Sequence, residues 1–205
     1  MSVISIHRLA AFSDGVFAIA ATLLILEIKI PHYESGMTLS MLWHEVWQLW
    51  PSYFAFALSF GSIFIMWHNF HYALSQIDKT SNAFVYAIGF LLLVITFIPF
   101  PTALLASHIN TPTMAVGVTV YNASSVLLSF AFNLAWETGK RPVYLFKPEI
   151  TPMLIRELNL KVRTGFFAYM LATIISFWFP KIGLTITSVL FILWITLSLG
   201  DKEGN

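Results

Sequence analysis

The residues best equipped for chemistry in this 205-residue chain fall into two short groups. One is Arg8, Ser13 and Asp14; the other is Trp67, His68 and Asn69, with His71 close behind. Guanidinium, hydroxyl, indole, imidazole and amide can all donate to a carboxylate, so the two groups can form one network around Asp14. A carboxylate beside a histidine inside an apolar segment is also the minimum needed to pass a proton. Two readings therefore stand side by side: a network that fastens two elements together, and a relay using Asp14 and His68. His68 and His71 stand at i and i+3, as a metal pair would, but no further ligands converge with them and no metal site is expected. Cysteine is absent, which removes disulfides, thiol catalysis and zinc–cysteine sites. There are no paired carboxylates at depth, no H-E-x-x-H and no G-x-S-x-G. The chain is expected to be no enzyme and to need no cofactor.

The elements that carry these groups are dictated by how few other polar residues accompany them. Hydrophobic residues make up 58% of the chain and charged residues 10%, with a mean hydropathy of +0.77. A soluble domain carries about 25% charged residues to keep its surface wetted. No charge occurs from Thr80 to Trp136, and further uncharged runs cover Gly15–Leu26, Val46–Ile77, Thr164–Pro180 and Ile182–Gly200. A hydrocarbon core about 30 Å thick is crossed by about 20 apolar helical residues. The expected fold is all-α: an integral membrane protein with one six-helix transmembrane domain over residues 1–205. The spans are placed at about 8–30, 50–77, 82–107, 113–137, 161–179 and 183–199. The first apolar stretch is longer than a signal-peptide core and contains Asp14, so it reads as a retained helix. Ser107-His108-Ile109-Asn110-Thr111-Pro112 supplies the break within the longest uncharged run. Pro99 and Pro101 each remove a backbone donor inside the third span and predict a kink there.

Loop charges orient the chain. Six spans put both termini on one side, with Arg8, Lys79, Lys140, Arg141, Lys147, Arg156, Lys161, Arg163 and Lys202; only Lys29 and Lys181 fall opposite. The basic excess places both termini in the cytoplasm, in a multi-pass protein of the cell membrane. A formal net charge of +1 offers nucleic acid no basic face. The Lys- and Arg-rich 140–163 segment suits anionic membrane lipid as well as setting orientation. Trp43, Trp47 and Trp50 recur at helical spacing, as in an interfacial helix or aromatic belt.

At about 100° per residue, Gly15, Ile19, Thr22, Leu23, Leu26 and Ile30 share one stripe of the first helix, and Asp14 sits about 140° from Ile19. The helix thus has an apolar face with a single hydroxyl, and a second face whose carboxylate must be buried against neighbours. Taken alone, the stripe is what ordinary helix packing would also produce. Glu27 at the far end suits either a cation-gathering mouth or a solvated interface.

The motif Arg8-x-x-x-Phe12-Ser13-Asp14 resembles the R-x-x-x-F-S-D signature of the transmembrane protein 175 family of potassium channels. The resemblance runs on through Gly15–Glu27, returns at Trp67-His68-Asn69 and again at Thr96-Phe97-Ile98-Pro99-Phe100. Animal members carry two six-span repeats, so a chain with one resembles the prokaryotic branch, in which four copies assemble around an axis. The resemblance implies a homotetramer passing K+ and other monovalent cations through a central pore lined by the first helix. It implies that Ile19 forms the apolar gate, that Leu23 and Leu26 continue the wall and that Thr22 bears on selectivity. Arg8, Phe12, Ser13, Asp14, Trp67, His68 and Asn69 would fasten that helix. No Thr-Val-Gly-Tyr-Gly segment is present, so a carbonyl-ring filter is not expected. A proton-coupled secondary transporter using Asp14 and His68 is the alternative.

Overall fold

Apolar side chains recurring every three to four residues start the fold. Helix α1 (Ile6–Leu23) turns Leu9, Ser13, Phe17 and Ala20 inward, and a 3-10 turn over Leu24–Glu27 finishes the segment. The computed structural model describes residues 4–29, 36–140 and 151–200. Ile30, Arg141, Lys147 and Lys202 lie outside the described residues.

Helix α2 (Leu39–Gln48) is capped by Thr38, whose Oγ1 accepts from the Met41 amide at 3.3 Å. It ends at Leu49, where ψ of 3° interrupts the run before α3 (Trp50–Ser75). None of its residues is buried, and Trp43, Trp47 and Trp50 are all exposed. Helix α4 (Asn82–Phe97) is capped by Ser81, and the third span breaks at Ile98 before resuming as α5 (Pro99–His108). The physical cause is the missing amide hydrogens of Pro99 and Pro101. The turn after α5 carries Asn110 at φ 65°, a left-handed conformation that asparagine tolerates better than most residues. Helix α6 (Met114–Gly139), α7 (Pro152–Trp178) and α8 (Pro180–Gly200) complete the chain.

Six helical segments are long and apolar enough to cross a membrane: Ile6–Glu27, Leu39–Ser75, Asn82–His108, Met114–Gly139, Ile155–Trp178 and Pro180–Leu197. The fifth differs from the sequence expectation at its start. Helix α7 begins at Pro152, well before residue 161, because the polar residues Arg156, Glu157 and Lys161 are good helix formers and extend it.

The main core joins α1, α3, α4 and α6, with Leu24, Ile63, Ile88, Leu91 and Ile95 fully buried. A second cluster around Ala55, Leu105 and Val118 joins α3, α5 and α6. Two sets of buried polar side chains tie helices together. Ser59 on α3 pairs with Thr102 of α5 at 2.7 Å and donates to the Tyr121 hydroxyl of α6 at 3.1 Å. Asn122 on α6 donates to Ser176 Oγ of α7 at 2.7 Å and accepts from Thr187 Oγ1 of α8 at 2.6 Å. Gly183 lets α8 close on α7 there, since a Cβ at that position would collide with Ser176. Asn122→Leu should lower stability by only about 1 kcal/mol, because each interhelical hydrogen bond in a membrane protein averages about 0.6 kcal/mol. Ser176 and Thr187 also keep their bonds to Ala172 and Gly183 carbonyls. A thermal melt in detergent measures this, and a collapse of the fold would contradict it.

Candidate functional site

The F-S-D motif sends three consecutive side chains in three directions. Phe12 points out of the subunit, Ser13 points into it, and Asp14 points sideways to α3. Ser13 is completely buried and donates to the Leu9 carbonyl at 2.8 Å, so its hydroxyl is satisfied within its own helix. Below it, Phe17 packs on Phe70 of α3 with ring centroids 5.6 Å apart.

Asp14 receives the Trp67 indole N–H at 2.9 Å, and Nε2 of His71 lies 3.3 Å from the same carboxylate oxygen. Trp67 and His71 stand at i and i+4, so both rise on the face of α3 that meets α1. Their rings lie 4.7 Å apart, and Phe64 packs on Trp67 from the preceding turn. His68 is rotated about 100° from Trp67 on the same helix, which turns it away from Asp14. The histidine that reaches the carboxylate is therefore His71, not the His68 expected from the sequence. Among the described residues, the side chains of Arg8, His68 and Asn69 make no hydrogen bond or ion pair; Arg8 is exposed, and Asn69 lines a cleft on the other side of α3. No group of three or more His, Cys, Asp or Glu able to hold a metal occurs among the described residues.

The opposite stripe of α1 faces away from the subunit. Ile19, Leu23 and Leu26 are 59%, 44% and 71% exposed, and Thr22 is exposed between them. Thr22 Oγ1 lies 2.9 Å from the Ile19 carbonyl and 3.0 Å from that of Ala18. With its hydrogen engaged by its own helix, the hydroxyl presents oxygen lone pairs outward. The 3-10 turn was not foreseen from the sequence, and no cap residue or proline announces it. It tightens the winding to about three residues per turn. Leu24 consequently turns fully inward while Ile25 joins Leu26 on the exposed side.

The tertiary arrangement is shared with channels of known structure. The family described as endosomal/lysosomal potassium channel TMEM175 matches residues 8–99. A potassium channel of Chamaesiphon minutus is 39% identical over 170 residues, covering 83% of each chain. One from Streptomyces collinus is 36% identical over 171 residues, covering 83% of this chain and 82% of the relative. The crystal structure of a lysosomal potassium-selective channel TMEM175 homolog from Chamaesiphon minutus superposes with a TM-score of 0.84 at 36% identity. That match covers 94% of this chain and 97% of the other. The MtTMEM175 T38A variant, 19% identical, shares the fold at a TM-score of 0.62, over 94% of this chain and 90% of its own. This identity, sustained over most of both chains, shows that the protein belongs to the TMEM175 family, in its prokaryotic branch.

Proposed function

We propose that the protein is a potassium channel that conducts passively as a homotetramer, with four copies of α1 around a central pore. The observation that carries this reading is the exposed stripe of α1. Ile19, Thr22, Leu23 and Leu26 share one face of a helix that its own subunit leaves uncovered, while the opposite face is held by Asp14, Phe17 and Leu24. Around a fourfold axis those four positions become rings. The relatives named potassium channels supply the ion.

In this arrangement Ile19 is the constriction. A narrow ring of isoleucines gives a cation no ligand and empties of water, which closes the path; a small widening rehydrates it. Thr22 adds a ring of oxygen lone pairs one turn away, and Leu23 and Leu26 extend the wall toward Glu27. Both termini lie in the cytoplasm, on the side of Lys79, Lys140, Arg156, Lys161 and Arg163.

Purified protein in liposomes under a potassium gradient tests the proposal. A large potassium flux that needs no counter-substrate supports it, whereas slow, saturable exchange coupled to protons overturns it in favour of a carrier. Thr22→Val, which keeps the shape and removes the oxygen, should reduce the potassium preference over sodium by up to about tenfold, equivalent to about 1.4 kcal/mol. Reversal potentials under bi-ionic conditions read this directly, and an unchanged ratio removes Thr22 from selectivity.

A further inference from the structure

Away from α1, helices α3, α6, α7 and α8 part to leave a cleft of about 120 Å³. Its lining runs along α3 from Ser62 to Ala73, which at about 1.5 Å per residue is roughly 16 Å of depth. Half of a hydrocarbon core is about 15 Å, so the cleft is as deep as one leaflet. The lining residues of the other three helices fall at the same end, where α6 stops and α7 begins.

The walls are mainly apolar and aromatic, with Leu128, Phe132 and Phe191 among them, and Trp194 lies over Gly165 with their close approach leaving no room to spare. Asn69, Tyr72 and Ser129 among the lining residues can hold water, but most of the wall is apolar and gives water no partner. The basic end is different. Lys161 lines the cleft with its ammonium 3.3 Å from Glu157 on its own helix. At the same end of the bundle, Lys140 and Arg163 both pair with Glu137, and Arg156 lies in the first turns of α7. All four helices are long and apolar enough to cross the membrane, so acyl chains are available at this depth. Depth, apolar walls and a cation at the headgroup level select one occupant.

We propose that this cleft is a lipid site, holding one acyl chain of an anionic phospholipid from the adjoining leaflet with the phosphate on Lys161. It is separate from the conduction pathway along α1.

The test uses the full-length protein in phosphatidylcholine vesicles containing increasing fractions of phosphatidylglycerol or phosphatidylcholine dibrominated along the chain. Bromine quenches indole fluorescence on contact, and Trp136 and Trp194 both line the cleft. The brominated phosphatidylglycerol should reach half-quenching at about one fifth the mole fraction that brominated phosphatidylcholine needs, the ratio expected for one basic side chain near the membrane surface. Lys161→Gln should abolish that preference and Lys161→Arg should keep it. Ser129→Phe, which fills the cleft, and the double variant Trp136→Phe/Trp194→Phe, which removes both reporters, should each remove the saturable quenching. Equal half-quenching by the two lipids overturns the proposal, as does a preference that survives Lys161→Gln. A preference that persists in folded Ser129→Phe or in the folded double tryptophan variant places the lipid elsewhere and also overturns it. The two lysine variants, on a partly exposed position, decide the matter even where Ser129→Phe fails to fold.

Discussion

Ile19→Ala is expected to raise potassium conductance by about tenfold and to bring the sodium and potassium permeabilities closer together. The barrier at an apolar ring is the free energy of stripping water from an ion with nothing supplied in return. In the proposed tetramer, shortening four side chains at one level widens the ring and lets the ion keep more of its hydration. A barrier lowered by about 1.4 kcal/mol multiplies the rate tenfold. Ile19→Asn should act in the same direction, because amides both widen the path and hydrate it. The subunit itself should tolerate either change. Ile19 is 59% exposed and contributes nothing to the buried core, and substitutions at such positions usually stay within about 0.5 kcal/mol. Single-channel recording in planar bilayers measures the effect. Currents that are unchanged, or lost while the protein remains folded, remove Ile19 from the proposed constriction.

Asp14→Ala is expected to lower the melting temperature in detergent and to reduce potassium current as α1 loses its seat. The substitution strands the Trp67 indole N–H and takes from His71 the only carboxylate beside it among the described residues. A buried donor left without its acceptor costs about 1–3 kcal/mol. The lower half of that range applies, because the Asp14 side chain is 44% exposed in the subunit and water replaces part of what is lost. For a chain of this size each kcal/mol corresponds to roughly 2–4 °C. Asp14→Asn keeps an oxygen for Trp67 and should fall between wild type and alanine. The same pair of variants separates fastening from proton relay. Loss of stability with proton movement unchanged supports fastening, whereas loss of proton movement at full stability supports a relay.

Much of this fold is legible in the amino-acid sequence. Charge scarcity and the turn at Ser107–Pro112 located the helices, and proline chemistry located the break in the third span. The wheel separated the exposed stripe of α1 from its inward face because a helical period is a property of the backbone and needs no partner. Tertiary pairing was less legible. Trp67, His68 and Asn69 are contiguous, and sequence alone cannot decide which of them faces α1. The i and i+4 relation between Trp67 and His71 was available as a signal, yet it became decisive only once Trp67 was placed on Asp14. The 3-10 turn at Leu24 had no local signature at all, since leucine suits either winding. The cleft on the far side of α3 depends on how four helices spread apart, which no single helix encodes.

The break at Ile98 has a mechanical consequence. An unbroken third span would be one stiff rod, transmitting any displacement from one face of the membrane to the other. Two rods joined at a point without full backbone bonding bend there instead. Helix α5 packs against the 3-10 turn that ends α1, and its Thr102 reaches Ser59, while α4 lies against the body of α1. Displacing the Leu24–Glu27 end therefore loads α3 and, within the third span, the α5 segment, while α4 can stay with the body of α1. The third span has two segments that can move separately, with the proline pair as the joint between them.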